Sequence, residues 1–218
     1  MITAAVCHQF GQPLRIEQVD LAPPATGEVE VELSACAICH SDIHFADGAW
    51  GGDLPAVYGH EAAGRVTRVG PEVRGLAVGD TVVVTLIRSC GHCHYCAREV
   101  TTACETAFAL DAQSPLKTVA GGPLAQGLRT GAFAERVVVD QSQAVPVPAD
   151  MPLDSASLLA CGVITGFGAV VNTAAMPAGA TVAVVGCGGV GLNSIQAAAL
   201  NGASAVIGID VTPEKLEA

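Results

Sequence analysis

Basic side chains are scarce in this sequence. Ten Lys and Arg stand against 21 Asp and Glu, so the 218 residues carry a formal net charge of −11. Proteins that bind the phosphate backbone of nucleic acids present clustered basic side chains that displace its counterions. The charge balance therefore argues against a nucleic-acid partner.

We also expect no export signal at the N-terminus, because no basic residue precedes its short apolar run. The nine cysteines are odd in number and several fall at C-x2-C spacing. These features favour reduced, metal-bound thiolates over a disulfide framework. We therefore expect a cytoplasmic protein.

Charged residues are entirely absent from the stretch 155–209. The stretch is interrupted by Asn172, Pro177, Asn193 and Asn201 and by many glycines. Its pieces have the lengths of buried helices and parallel strands rather than of a membrane helix. We therefore expect no membrane partner.

The chain changes character near residue 150. Before it, β-branched runs at 29–33, 65–69, 81–86 and 136–139 predict a small, largely antiparallel β-domain. After it, the pattern predicts helices at 154–161 and 165–175. A β-α-β unit follows at 181–185, 188–200 and 205–209, with another helix opened by Pro213. A doubly wound nucleotide domain has about six strands, so this one is expected to be truncated.

Four cysteines at C-x2-C-x2-C-x7-C spacing form the most specific motif: Cys90, Cys93, Cys96 and Cys104. Four thiolates complete a tetrahedral structural zinc site. His92 and His94 lie inside the motif and could substitute as ligands, but the thiolates already fill the coordination shell. The segment 88–111 is therefore predicted to be a lobe held together by metal.

A second group of candidate ligands is dispersed along the chain. Cys39, His60 and Cys161 would supply three ligands and leave a fourth position open, with Glu61 beside them. Each has an ordinary alternative, since Cys161 could fill a core and His60 could occupy a turn. Cys36 forms a rival C-x2-C pair with Cys39, and we interpret it as a core residue of a strand.

A glycine-rich turn predicts dinucleotide binding. It follows a predicted strand, precedes a helix, and satisfies G-x-G-x-x-G with the residues Gly186, Cys187, Gly188, Gly189, Val190 and Gly191. Asp210 ends the next strand, where its carboxylate would bind ribose hydroxyls and favour NAD over NADP. The alternatives are a plain strand-to-helix turn with a capping Asp, or the similar turn of adenosylmethionine enzymes.

Together, in this order, the motifs resemble those of the zinc-dependent medium-chain alcohol dehydrogenases. The resemblance implies a mixed α/β protein with a GroES-like β-rich catalytic domain at 1–175, including the zinc lobe 88–111. It also implies the first βαβ unit of a truncated Rossmann domain at 176–218.

The same resemblance implies roles for individual residues. Cys39, His60 and Cys161 would bind a catalytic zinc, with Glu61 beside the metal, and the cysteine lobe would bind a structural zinc.

The segment after Cys39 would supply the remaining groups. Ser41 would pass the substrate proton on and His44 would hand it to solvent. His40 would contact the pyrophosphate, and Asp42 would orient His60.

The function implied is hydride transfer to NAD from a primary alcohol or a thiol adduct of formaldehyde, with the substrate oxygen on zinc. Two zinc ions per chain, an alcohol or aldehyde substrate and a homo-oligomeric parent enzyme are expected. The alternatives are a polyol or threonine dehydrogenase of the same fold, or a non-catalytic zinc-binding remnant.

Overall fold

The computed structural model describes residues 1–217 and divides the chain into two compact units. The first is Met1–Ala160, and the second begins at Cys161. This division falls earlier in the chain than the expected domain boundary at 175/176, which stays a prediction.

The first unit contains two five-stranded sheets. One has the order β7-β2-β1-β4-β8 and the other the order β10-β6-β5-β3-β9. The strands are β1 Ile2–Cys7, β2 Arg15–Leu21, β3 Glu28–Ala37, β4 Ala56–Val57, β5 Glu61–Val69, β6 Thr81–Val84, β7 Leu116–Thr118, β8 Ala125–Gln126, β9 Arg136–Asp140 and β10 Ala144–Pro146. Every named pairing except β4 with β8 is antiparallel, which confirms the predicted β-domain.

The pairing of β3 with β5 brings together two segments that carry predicted site residues. Val29 and Val31 share one face of β3 and are fully buried in the core of this sheet, and Glu30 on the opposite face is buried too. At the far end of the pair, Ala37 lies opposite Glu61. The chain that leaves β3 is therefore brought beside the chain that enters β5.

The first unit also contains three short helices, α1 His40–Ala46, α2 Ala109–Ala112 and α3 Leu153–Ser157. The single helix expected at 154–161 is wrong in its second half, because Leu158–Ala160 is a 3-10 turn. The hydroxyl of Thr85 donates to the carbonyl of Ala160 at 3.0 Å. This tertiary hydrogen bond occupies a carbonyl that a continuing α-helix would use.

The second unit contains the parallel pair β11 Thr181–Val185 and β12 Ala205–Ile209, as predicted. Its helices are α4 Gly162–Gly168, which continues as a π-helical turn at Ala169–Thr173, and α5 Gly189–Leu200. The helix expected after Pro213 is a 3-10 turn over Pro213–Leu216. Ala197 and Ala198 of α5 are fully buried.

No single helix within residues 1–217 has both the length and the apolar character needed to cross a membrane. The stretches Leu153–Ala160 and Gly162–Thr173 reach that length and apolar character only when they are counted together as a bent pair.

Candidate metal sites and nucleotide-binding turn

The four cysteines of the lobe converge. Their sulfur atoms lie within 4.8 Å of one another, on a segment whose regular structure before α2 consists of two 3-10 turns, Cys96–Arg98 and Thr101–Ala103. Four thiolates that share one zinc through bonds of about 2.3 Å have sulfurs about 3.8 Å apart. The sulfurs of Cys93 and Cys104 are 3.9 Å apart. The donor set and its spacing therefore fit a tetrahedral zinc ion.

The lobe also favours thiolates over thiols at two positions. A hydrogen bond from Thr106 lowers the pKa of Cys90 to about 5, with further help from backbone N–H groups of His92 and Cys93. The backbone N–H of Cys96 lowers the pKa of Cys93. Because the thiolate is the metal ligand, these hydrogen bonds prepare both sulfurs for binding.

Burial acts in the opposite direction on Cys96, where it raises the pKa of the thiol to about 11. A bound cation would have to overcome this cost of desolvation, as zinc does when it deprotonates a coordinating thiol.

The base of the lobe is tied to the β-domain by Arg88. Its guanidinium is buried and donates from Nε to Gln143 Oε1 at 2.6 Å and from Nη1 to Asp111 Oδ1 at 2.8 Å. Nη2 donates to the carbonyl of Arg129 at 2.9 Å. Metal at the tip and this polar network at the base would hold a segment that has little core of its own.

The second candidate site is built around α1 and the start of β5. Cys39 is the residue that caps the N-terminus of α1, and His60 immediately precedes β5. Cys39 Sγ, one ring nitrogen of His60 and one carboxylate oxygen of Glu61 lie within 4.8 Å of one another. His60 and Glu61 are 1% and 4% exposed. Thiolate, imidazole and carboxylate are all ligands that zinc accepts, so the donor set fits the metal.

Asp42 holds this group together. Its buried carboxylate accepts hydrogen bonds from the backbone N–H of Cys39 at 2.9 Å and of Gly59 at 3.0 Å. Its Oδ1 also lies 3.0 Å from His60 Nδ1. A carboxylate that already accepts two hydrogen bonds favours the tautomer in which Nδ1 donates. Nε2 is then the nitrogen suited to bind a metal.

Gly59 makes the approach to Asp42 possible. Its φ is +92°, in the region that L side chains rarely adopt, and a Cβ there would overlap Phe133 and the backbone of Ala132. Sequence reasoning did not assign a role to this glycine. The signal was its position directly before His60.

The other predicted residues of this segment also lie on α1. Ser41 Oγ is 3.6 Å from Cys39 Sγ. The rings of His40 and His44 have centroids 5.1 Å apart, and His44 is half-buried. The indole of Trp50, another residue that sequence reasoning did not single out, lies 5.0 Å from the His44 ring.

Cys161, the remaining predicted ligand, is the first residue of the second unit and precedes α4. Within that unit its sulfur lies 3.9 Å from Thr165 Oγ1. Its role as a metal ligand stays a prediction.

The glycine-rich turn joins β11 to α5 as its motif requires. Gly186 has a φ of +96°, and a Cβ on Gly191 would overlap the carbonyl oxygen of Gly186. Neither Gly188 nor Gly189 has an atom within 4 Å of where a Cβ would stand. Gly186 thus allows the turn, and Gly191 allows the close contact. Gly188 and Gly189 leave open space beside the N-terminus of α5, where Val190 also lies.

Asp210 follows β12 and faces this turn. Its carboxylate accepts from the backbone N–H of Cys187 at 2.8 Å and of Thr212 at 2.9 Å. These two hydrogen bonds lower the pKa of Asp210, and the one from Cys187 has the larger effect. A negative charge is therefore held at the end of β12.

A cavity of about 780 Å³ in the first unit lies among other residues. Its walls include Leu54, Leu110, Leu124 and Arg129, and none of the predicted site residues lines it. Donor chemistry, rather than cavity size, therefore locates the candidate metal sites.

Comparison with known proteins places the fold. The profile of the alcohol dehydrogenase GroES-like domain matches residues 25–149. The chain belongs to the alcohol dehydrogenase GroES-like domain family. This match confirms the resemblance to zinc-dependent alcohol dehydrogenases and the mixed α/β fold that it implied.

Solved structures agree with the family. An alcohol dehydrogenase zinc-binding domain protein from Burkholderia ambifaria is 38% identical, with a TM-score of 0.93 over 99% of this chain. Benzyl alcohol dehydrogenase from Acinetobacter calcoaceticus is 29% identical, with a TM-score of 0.91 over 99% of this chain. A cinnamyl alcohol dehydrogenase from Sorghum bicolor is 28% identical, with a TM-score of 0.80 over 98% of this chain. The chain spans 60%, 60% and 59% of the lengths of these three structures.

Proposed function

We propose that this chain is part of a zinc-dependent oxidoreductase that transfers a hydride from an alcohol to NAD. The observation that carries the proposal is the grouping of Cys39, His60 and Glu61, with Asp42 fixing the imidazole. Such a mixed donor set leaves room for a substrate oxygen, unlike the closed set of four thiolates in the lobe. From the resemblance alone, we further propose that Cys161 contributes a second thiolate and that Glu61 lies beside the metal rather than completing its shell, so that a position stays open for the substrate oxygen.

Zinc, when bound, supplies a Lewis acid that can lower the pKa of an oxygen ligand to about 7. The chain's own residues would handle the proton. Ser41 Oγ, beside the sulfur of Cys39, is placed to take the proton that the alcohol loses and to pass its own hydrogen on. His44, half-buried on the same helix, would accept it at a ring nitrogen and exchange it with water.

The second unit would bind the dinucleotide. Gly186 to Gly191 would let the pyrophosphate approach the N-terminus of α5, where backbone N–H groups favour an anion. The carboxylate of Asp210 would accept hydrogen bonds from the ribose and repel a 2′-phosphate, so we propose NAD rather than NADP. His40 would contribute a further contact to the pyrophosphate.

Two of the similar structures are named for benzyl and cinnamyl alcohol, which are primary alcohols. They support a primary alcohol as substrate here, with a thiol adduct of formaldehyde and polyols as the other classes to compare. We also propose a homo-oligomeric, cytoplasmic enzyme without a nucleic-acid or membrane partner.

The test is NAD-linked oxidation by the protein purified from its source, followed by the absorbance of NADH. Benzyl and cinnamyl alcohol, a simple aliphatic alcohol, a polyol and threonine would be compared at equal concentration. We expect the primary alcohols to be oxidised, with loss of at least about 100-fold in kcat/KM for Cys39→Ala. Full activity in that variant would overturn the proposal. Activity confined to polyols or threonine would overturn the proposed substrate class.

A further inference from the structure

His40 and His44 form an imidazole pair that belongs to neither set of predicted zinc ligands. They stand four residues apart on α1, so their side chains share one helix face. Their ring centroids are 5.1 Å apart and the rings are tilted by 58°. Two imidazoles that share one tetrahedral ion through bonds of about 2.0–2.1 Å have centroids roughly 5 Å apart. The spacing of the two rings therefore fits one shared ion.

The helix that carries the pair is fixed at both ends. At its N-terminus the buried carboxylate of Asp42 accepts from the N–H of Cys39 and of Gly59. At its C-terminus the N–H of Asp47 donates to Ile43 and the N–H of Ala49 donates to the carbonyl of His44. A ligand pair on a rigid element loses little conformational freedom when it binds.

The surroundings leave the pair accessible from one side. His40 is exposed and His44 is half-buried, and the exposed indole of Trp50 lies 5.0 Å from the His44 ring. Phe45 packs edge-on against the same indole at 5.2 Å. Trp50, which Phe45 contacts, therefore restricts the space into which the His44 ring can turn.

We propose that His40 and His44 form a third metal site, for a divalent transition metal such as Zn²⁺ or Ni²⁺ supplied beyond the two cysteine-containing sites. Imidazole nitrogen selects these borderline ions over Mg²⁺ and Ca²⁺, which prefer oxygen ligands. Water completes the coordination. With two protein ligands, the site is weaker than the four-thiolate site and exchanges its ion readily.

Occupation of this site would also affect the enzyme, a consequence that rests on the proposed function. An ion on the His44 nitrogen blocks the group that returns the substrate proton to water, and an ion on His40 occupies a proposed pyrophosphate contact. Excess Zn²⁺ would therefore act as an inhibitor.

Trp50 provides a direct measurement, because it is the chain's single tryptophan and lies against His44. The protein is first saturated with Zn²⁺, freed of excess metal, and then titrated with NiCl2 near neutral pH while Trp50 fluorescence is recorded. We expect saturable quenching. His40→Gln and His44→Gln should each raise the half-saturating Ni²⁺ concentration about tenfold or more, since one of two metal–imidazole bonds is lost.

His8→Gln is the matched control, because His8 lies outside α1 and its Nε2 is 3.1 Å from a carboxylate oxygen of Glu17. It should leave the titration unchanged, and MgCl2 should produce no quenching. Quenching that rises linearly without saturation, or that is the same in His40→Gln and His44→Gln as in the unaltered protein, would overturn the proposal. The readout needs no turnover, so its failure is distinguishable from failure of the proposed dehydrogenase activity.

Discussion

Arg88 Nη1 donates to Asp111 Oδ1 over 2.8 Å and so joins the two ends of the cysteine lobe. The Arg88 side chain is 1% exposed and that of Asp111 is 28% exposed. The same guanidinium binds Gln143 and the carbonyl of Arg129, which belong to the β-domain. Closure of the lobe at its base therefore involves protein groups alone, whereas its tip carries the four cysteines that we propose bind zinc.

Arg88→Met should lower the free energy of unfolding by about 3 kcal/mol, because it leaves buried acceptors without their donor. Arg68→Met is the matched control, since Arg68 is 59% exposed and lies 3.7 Å from Glu30. The Glu30 carboxylate is buried but keeps its contacts with Arg136 and Thr67, so loss of the exposed, solvent-screened Arg68 guanidinium should cost only about 0–1 kcal/mol. Urea unfolding checks both, and equal losses in the two variants would contradict the assigned role of Arg88.

Cys93→Ser should remove the zinc of the lobe and expose the segment 88–111 to proteolysis, because three thiolates no longer close the tetrahedron. Cys36→Ser is the control, since burial raises the pKa of Cys36 to about 12 and disfavours its thiolate. Zinc analysis should find one ion fewer in the first variant and no change in the second. Loss of zinc from Cys36→Ser would revive the rival pairing of Cys36 with Cys39.

Gly191→Ala should destabilise the second unit by about 1–3 kcal/mol, because the new Cβ overlaps the carbonyl oxygen of Gly186. Gly189→Ala places its Cβ in open space on the first residue of α5. It should be neutral or stabilise by up to about 1 kcal/mol, as glycine is a poor helix former. Thermal unfolding monitored by circular dichroism compares them, and equal effects would show that the close contact does not matter.

Asp210→Asn should make stability less sensitive to acid. The N–H groups of Cys187 and Thr212 lower the pKa of Asp210 in the folded chain. Its contribution is therefore present above the unfolded pKa of about 3.9 and is lost as the pH falls through the folded value. Thermal midpoints between pH 7 and pH 3 should fall more steeply in the unaltered protein. Parallel curves would contradict this.

The sequence predicts most of what local chemistry decides. The parallel pair Thr181–Val185 and Ala205–Ile209 follows from β-branched runs around a glycine-rich turn, and the four cysteines follow from their spacing. The change to a 3-10 turn at Leu158–Ala160 has no signal in the local sequence, and the Ala160 carbonyl there accepts from Thr85, which is distant in sequence. The placement of Trp50 against His44 likewise depends on tertiary structure.

The most direct test of the account is the zinc content, by native mass spectrometry, of the protein and of its Cys39→Ser variant, each first freed of excess and weakly bound metal so that the His40–His44 pair is empty. Two distinct donor sets predict two zinc ions in the unaltered protein and one in the variant, with the zinc of the lobe retained. A single zinc ion in the unaltered protein, or two in Cys39→Ser, would contradict a second metal site at Cys39 and His60.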